Sequence, residues 1–176
     1  MIHYHDIARG LSMMARFNGH ISDFYSVAQH SILVAAHLPD ELRPYGLLHD
    51  ASEAYIADIV RPAKGMLEGY LEIEECLMEA VAARYGLDPK LFQHPLVREA
   101  DNRALITERN ALQSTYVKEH WASLDVMYRP YPAIIVPWDW RIAENNFILA
   151  FEKVIDVNHP CPADPVDAWE AAGAAV

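Results

Sequence analysis

Residues His49 to Asp58, with the sequence HDASEAYIAD, place one imidazole and three carboxylates within a single short run. On a helix, side chains three, four and eight positions apart share a face, so Asp50, Glu53 and Asp58 are predicted to point the same way, with His49 at the edge. The apolar lead-in 45–48 would bury the start of the run. Because buried carboxylates are unfavourable unless a positive charge neutralises them, the run predicts helical structure beside a bound cation.

A divalent metal is the simplest such cation, because imidazole nitrogen and carboxylate oxygen together bind zinc, manganese, iron and related ions. The alternative interpretation of a bare His-Asp pair is a solvated helix face that carries one histidine. The run by itself does not decide between the two, so the choice depends on ligands elsewhere in the chain.

Length and charge limit the function classes. The 176 residues are predicted to form one domain with its own core, 1–157, followed by a loose tail, 158–176, that contains three prolines. The 14 basic and 25 acidic residues give a net charge of −11, which argues against binding a nucleic-acid polymer or an anionic membrane through a basic surface. Any anionic substrate must therefore be held locally.

Cysteine usage and hydropathy predict a soluble, cytoplasmic protein without a cleaved leader. Cys76 and Cys161 are far apart and show no CxxC spacing, so neither a disulfide framework nor a structural zinc site is expected. No stretch approaches the roughly 18 apolar residues that a membrane span needs.

Helical periodicity predicts an all-α fold, a bundle of about six helices. The predicted helices cover 6–16, 26–38, 42–59, 68–85, 95–115 and 141–157. Asp6 and Asp40 are predicted to cap the first and third helices, and Gly86 to end the fourth. The proline-rich aromatic segment 128–140 is predicted to be a loop with one short strand at 134–136.

Further metal ligands lie on the inner faces of two other predicted helices. His30 lies among the apolar residues of the second helix, and Asp101 lies on the apolar side of the fifth. A lone His30 is more readily explained as a core histidine, but a buried, unpaired Asp101 costs several kcal/mol or takes up a proton. Together with His49 and Asp50 they can hold one divalent ion and leave positions for water and substrate.

This order, H…HD…D on helices, resembles the HD-domain metal-dependent phosphohydrolase superfamily. The segments that carry the resemblance are RFNGH at 16–20, YSVAQHS at 25–31, LLHDASEAY at 47–55, Asp58-Ile59 with Pro62 and Lys64, and READ at 98–101. Over most of residues 5–115 the chain is similar to compact HD proteins of bacteria and their phages. That branch includes the YfbR-like 5′-deoxynucleotidases and the DatZ-like deoxyadenosine triphosphohydrolases.

The resemblance implies a compact HD-domain helical bundle in which His30, His49, Asp50 and Asp101 hold the metal. Zinc, cobalt, manganese and magnesium are all candidates, because this ligand set tolerates several ions. Glu53 would orient or deprotonate the attacking water. Asp58 would assist as acid or base, or help Glu53 to hold a second ion.

The resemblance also implies a site for the substrate. Arg16 occupies the position that grips phosphate in these relatives, and Lys64 and Arg98 correspond to further phosphate-binding residues of the triphosphohydrolase branch. Phe17, Gly19 and Pro62 would flank the sugar and base. Relatives often have tryptophan after the arginine, so Phe17 keeps ring stacking but loses an indole hydrogen bond.

The predicted function is a phosphohydrolase that acts at the 5′ end of a small deoxynucleotide. Three basic residues favour a deoxynucleoside triphosphate, dATP first, cleaved to deoxynucleoside and triphosphate. One alternative is a 5′-deoxynucleotidase that acts on monophosphates. Another is an inactive, metal-stabilised binding protein. Such a protein could keep the metal ligands and lose Glu53, Asp58 and Arg16, all of which this chain has. A homo-oligomer is expected, because relatives of this size commonly form one.

Overall fold

Helices form the regular structure of residues 2–59, 64–113 and 122–156, the parts of the chain that this computed structural model describes. They are α1 (Tyr4–Met13), α2 (Val27–Ala36), α3 (Arg43–Leu48), α4 (Glu53–Ile56), α5 (Tyr70–Tyr85), α6 (Pro95–Leu112), α7 (Ala122–Met127) and α8 (Trp140–Val154). Short 3₁₀ turns cover Arg16–Gly19, Asp40–Leu42 and Pro89–Gln93. The predicted all-α class is confirmed.

Helix α2 lies at the centre of the described core and contacts α1, α3, α6 and α8. Its sequence is apolar on nearly every side, which suits a helix surrounded by others. Its outer neighbours are amphipathic: in α8, for example, the buried residues Ala143, Phe147 and Phe151 recur every four positions. His30 therefore lies on the central helix and is fully buried.

Glycine lets α3 approach α2 closely. A β-carbon placed on Gly46 would lie 3.1 Å from the Cα of Ala35 and would also meet the side chain of Leu38. Any larger residue there would push the two helices apart. This close packing sets the distance between His30 on α2 and His49, which directly follows α3.

The helix predicted over 42–59 is interrupted, and that prediction is wrong in detail. After α3, residues 49–52 form tight turns in which amides bond three residues back, as in Ala51 N–H to Leu48 O and Glu53 N–H to Asp50 O, both 3.0 Å. In such turns residues three apart eclipse, so Asp50 and Glu53 still share a face. The short α4 then ends at Ala57, whose φ of 68° breaks the helix before Asp58.

The two predicted aspartate caps are also wrong, whereas the glycine cap is confirmed. Helix α1 begins earlier than predicted, with the His3 imidazole accepting from the His5 amide, so Asp6 lies within the first turn. Asp40 instead pairs with Arg43 at 2.7 Å. Gly86 ends α5 in the left-handed conformation, with φ 65°.

The predicted strand at 134–136 does not form, because the described residues offer this extended segment no second strand to pair with. The side-chain amide of Gln29 takes that role: its Nε2 donates to Val136 O at 2.8 Å, and its Oε1 accepts from the Trp138 amide at 2.9 Å. The predicted tail, 158–176, lies outside the described residues. Among the described helices, none is both long and apolar enough to cross a bilayer.

Candidate metal centre

The four predicted metal ligands converge at one point. His30 comes from α2, His49 and Asp50 from the turn after α3, and Asp101 from α6. The Nε2 atom of His30 lies 3.2 Å from His49 Nε2, 3.7 Å from Asp50 Oδ2 and 3.3 Å from Asp101 Oδ1. His49 Nε2 lies 3.2 Å from Asp50 Oδ2 and 3.9 Å from Asp101 Oδ1. Residues 71 positions apart in sequence therefore present two nitrogens and two oxygens to a shared space.

Hydrogen bonds at the far side of each ring set which nitrogen faces this space. The Nδ1 atom of His49 lies 2.8 Å from the Gly46 carbonyl oxygen, which can only accept, so this Nδ1 carries a proton. The Nδ1 atom of His30 lies 2.8 Å from the Glu108 carboxylate and donates in the same way. In the neutral rings both Nε2 atoms then present bare lone pairs to each other, an arrangement that requires a cation between them.

The spacing fits a divalent ion. Ligands about 2.1 Å from a tetrahedrally bound zinc lie about 3.4 Å from one another. The measured separations from the two Nε2 atoms to each other and to the carboxylates, 3.2–3.9 Å, bracket that value. Imidazole nitrogen with carboxylate oxygen is also the donor set that zinc, manganese and cobalt accept. The residues therefore fit the metal that the resemblance implies.

Without a metal, protons occupy the cluster. Burial favours neutral His49, but the adjacent Asp50 carboxylate outweighs burial and raises the pKa of His49 to about 9. Burial alone would raise the pKa of Asp50, yet His49 and His30 hold it well below its usual range. Burial would also raise the pKa of Asp101, but the hydrogen bond from His30 and the charges of His49 and His30 keep it low. A protonated His49 beside two ionised carboxylates is the metal-free form that these directions describe.

Glu108 is a buried residue of the site that the sequence prediction missed. It is fully buried on α6, and its Oε1 accepts from His30 Nδ1 and, at 3.0 Å, from the Tyr25 hydroxyl. Its Oε2 accepts from Arg16 Nε at 3.4 Å. Such a carboxylate behind a metal-binding histidine orients the ring and raises its basicity. The available signal was its position seven residues after Asp101, on the same helix face.

Arg16 lies inside the protein instead of reaching into open solvent. It is 9% exposed, and its Nη1 lies 3.9 Å from Asp50 Oδ2 in addition to the contact with Glu108. Its guanidinium also lies over the Phe17 ring, 5.6 Å from the centroid. Phe17 and Asn18 both have positive φ, 55° and 51°, followed by Gly19 at 76°. For the two residues with a β-carbon this conformation costs about 1–2 kcal/mol each.

Glu53 is the buried carboxylate beside the ligand cluster. It is 4% exposed, and its Oε2 has no hydrogen-bond partner among the described residues. Burial first, then the charges of Asp50 and Asp58, raise its pKa to about 9, against the opposing charge of Lys64. Asp58 donates its backbone amide to Met14 Sδ at 3.0 Å, and its carboxylate is near enough to Glu53 to act on it electrostatically.

A cleft of about 550 Å³ opens from the ligand cluster. His49, Asp50 and Asp101 lie at its base, with Lys64 and Arg98 on its sides. Its apolar wall is formed by Leu71, Met78, Phe92 and Val97. Of the predicted substrate contacts, Lys64 and Arg98 line this cleft, whereas Arg16, Phe17 and Gly19 do not. Pro62 lies outside the described residues, so its predicted role stays a prediction.

Comparison with known proteins gives relatives without an assigned activity. No family model matches the chain. The uncharacterized protein YfdR of Escherichia coli (strain K12) is 45% identical over 107 residues, which cover 61% of this chain and 59% of that protein. The uncharacterized protein RCAP_rcc00048 of Rhodobacter capsulatus is 38% identical over 107 residues, which cover 55% of this chain and 54% of that protein. The chain thus spans little more than half the length of these curated relatives.

The metal-free protein is expected to lose stability as pH rises from 6.5 to 9. His49, with an ordinary pKa of 6.5, and Glu53, with an ordinary pKa of 4.5, both have folded-state values of about 9. Over this range the folded state keeps protons that the unfolded chain releases, so each added pH unit favours unfolding. We expect the melting midpoint to fall by more than about 10 °C in thermal denaturation.

A bound metal is expected to remove the His49 share of this pH dependence, because it replaces the proton on that ring and binds better as the proton leaves. Manganese, cobalt and zinc should each be titrated in the same experiment, with His49→Gln as the test variant and exposed His5→Gln as the control. His49→Gln should lose both the metal-induced rise in midpoint and the His49 share of the pH slope, and should keep the share that Glu53 contributes. A His49→Gln variant that keeps both would show that the cluster is not the metal site.

Proposed function

We propose that this protein is a divalent-metal phosphohydrolase that removes the phosphate end of a deoxynucleotide. The supporting observation is the cluster in which two imidazole Nε2 atoms lie 3.2 Å apart and 3.2–3.9 Å from the Asp50 and Asp101 carboxylates, beside Glu53, whose buried Oε2 has no hydrogen-bond partner among the described residues. A metal-activated water needs such an acceptor close by, outside the ligand set. The resemblance of the surrounding motifs to HD-domain phosphohydrolases supports the same class.

His30, His49, Asp50 and Asp101 would hold the metal, which supplies Lewis acidity and lowers the pKa of a bound water. Glu53 would take the proton of the attacking water at Oε2 and deliver a proton to the leaving oxygen. Burial and the charges of Asp50 and Asp58, which raise the pKa of Glu53, also raise its affinity for that proton. Glu108 and the Gly46 carbonyl keep the two Nε2 atoms available as ligands by holding protons on the Nδ1 atoms.

The ion pairs within the site indicate how many phosphates the substrate can carry. Arg16 is held by Glu108 and Asp50, and Lys64 lies 3.3 Å from Glu53 Oε1 and 2.7 Å from Glu74 Oε1. Two of the three basic residues that favoured a triphosphate are thus already neutralised.

Arg98 is hydrogen-bonded to the neutral Gln93 and forms no ion pair with a described residue. Of the three basic residues, Arg98 is thus the one whose charge is not already paired within the described residues, so less positive charge is left for a triphosphate than three unpaired cations would supply. We therefore propose deoxynucleoside monophosphates as the first substrates to test, with dATP and the other triphosphates as the alternative.

Product analysis by ion-exchange chromatography tests the proposal. Protein reconstituted with manganese, cobalt or zinc is incubated with each deoxynucleoside mono- and triphosphate and with the ribose counterparts. Nucleoside and inorganic phosphate from monophosphates are expected. Nucleoside and intact triphosphate would establish the triphosphohydrolase alternative, and Arg98→Gln should then weaken triphosphate binding more than monophosphate binding. No turnover with any metal would contradict the proposal and favour the metal-stabilised binding protein.

A further inference from the structure

Lys64 bridges two acidic residues from different helices. Its ammonium lies 3.3 Å from Glu53 Oε1 on α4 and 2.7 Å from Glu74 Oε1 on α5. All three side chains are largely shielded from water, with exposures of 19% for Lys64, 5% for Glu53 and 25% for Glu74. Such pairs are less screened than the fully exposed ion pairs that contribute almost nothing.

Helix α5 also contacts the end of α4 at a second point. The Tyr70 hydroxyl, in the first turn of α5, donates to the Ala57 carbonyl at 3.3 Å, immediately after α4. The Lys64 ammonium lies over the same Tyr70 ring, 5.6 Å from its centroid. The start of α5 is thus attached both to the backbone that follows Glu53 and to the cation that binds it.

The two carboxylate oxygens of Glu53 have different surroundings. Oε1 accepts from Lys64, whereas Oε2 is buried and has no partner within the described part of the chain. A lysine side chain has four rotatable carbon bonds, so contact with a single carboxylate would leave it free to swing. The second carboxylate, at 2.7 Å, restricts that motion.

We propose that Glu74 is a positioning residue: it holds Lys64 so that the ammonium fixes Glu53 Oε1 and leaves Oε2 to exchange protons with water. This inference rests on the proposed phosphohydrolase function, in which Glu53 carries the proton. It assigns Lys64 to the orientation of Glu53, and not to the phosphate binding that the family resemblance implies. Glu74, four residues after the start of α5, therefore affects catalysis through Lys64 without contacting the substrate.

Steady-state kinetics of Glu74→Gln and Lys64→Met separate the two roles of Lys64. If it positions Glu53, we expect kcat to fall about 10-fold in Glu74→Gln and about 100-fold in Lys64→Met, with KM within about twofold of the wild-type value. Glu74→Asp should recover part of the loss, because it keeps the charge. The control is Glu72→Gln, which removes an exposed carboxylate from the same turn of α5.

A phosphate-binding Lys64 gives the opposite pattern. Releasing it from Glu74 would then lower KM, and Lys64→Met would raise KM while kcat stayed close to the wild-type value. Either result would overturn the positioning role. Metal content should equal that of the wild type in every variant, because neither residue contacts a ligand of the cluster directly.

Thermal denaturation of the metal-free protein gives a readout that does not depend on activity. Lys64→Met should lower the melting midpoint, because it removes the ammonium that Glu53 and Glu74 both contact, and adding Glu53→Gln should recover part of the loss. If the second substitution gives no recovery, Lys64 and Glu53 are not coupled and the inference is wrong. If the wild-type protein showed no turnover, the proposed function would be contradicted. The thermal comparison would still show whether Lys64 and Glu53 are coupled.

Discussion

Replacing Glu53 with glutamine is expected to lower kcat by about 10²–10⁴-fold while the protein still folds and binds metal. Glutamine keeps the shape of the side chain and an oxygen for Lys64 but cannot accept a proton from water. Because the carboxyl of Glu53 has its pKa raised to about 9 by burial and by Asp50 and Asp58, the neutral amide also resembles the state that it holds near pH 7 in the metal-free protein.

The measurements for Glu53→Gln are turnover of the substrate identified by product analysis, metal content by mass spectrometry, and the melting midpoint. Exposed Glu79→Gln on α5 is the matched control, and it should behave as wild type. An active Glu53→Gln variant would remove the residue from the reaction. Loss of metal together with activity would instead make Glu53 a ligand, which its place outside the four-atom cluster argues against.

Replacing Glu108 with alanine is expected to have the largest effect on stability, a loss of about 3–5 kcal/mol, because it leaves the buried guanidinium of Arg16 without its main counterion. For a chain of this length that corresponds to a fall in melting midpoint of roughly 6–20 °C. Metal affinity should fall about 10–100-fold as well, because His30 loses the partner that holds its Nδ1 proton.

Glu108→Gln keeps the volume of the Glu108 side chain and changes only its hydrogen-bonding groups. It therefore separates the orientation of His30 from the packing that Glu108→Ala also removes. If the amide oxygen keeps the contacts with His30 and Tyr25, the amide NH₂ faces the donating Nε of Arg16. If the amide flips, its NH₂ faces His30 Nδ1 and forces the ring proton onto Nε2, where it blocks metal binding.

Cobalt titration followed by absorbance, together with chemical denaturation, measures both effects of the Glu108 substitutions. Glu99→Gln is the control, because Glu99 lies on the exposed side of α6 and pairs with Arg103 at 3.6 Å, away from His30 and Arg16. Wild-type cobalt affinity in Glu108→Ala would mean that His30 does not depend on Glu108 for its orientation.

The helical class and the inward positions of the four candidate ligands could be predicted from the sequence because both depend on local patterns. Apolar residues at helical spacing place His30 and Asp101 on inward faces, and an inward polar group needs a partner. The approach of His30 and His49 to 3.2 Å then follows from the close contact of α2 and α3 at Gly46. Sequence spacing alone contains no such distance.

The partners of the charged residues could not be predicted in this way. The interpretation of Lys64 as a phosphate contact treated its charge as free, but Glu74 lies ten residues further along the chain and meets it because α5 returns to α4. Likewise Arg16 and Glu108 are 92 residues apart in sequence. Which opposite charges meet depends on how helices pack, and long flexible side chains can reach any of several partners.

Local residue patterns determined that this chain forms helices, which side chains face inward and which residue types can hold a metal. Tertiary structure alone decided that Glu108 is buried behind His30 and that the run after His49 turns tightly before α4. It also decided that Glu53 has one oxygen held by Lys64 and one without a partner in the described part of the chain. The reason is physical: helix formation depends on neighbours within about four residues, whereas burial and ion pairing depend on groups that the folded chain brings together from far apart.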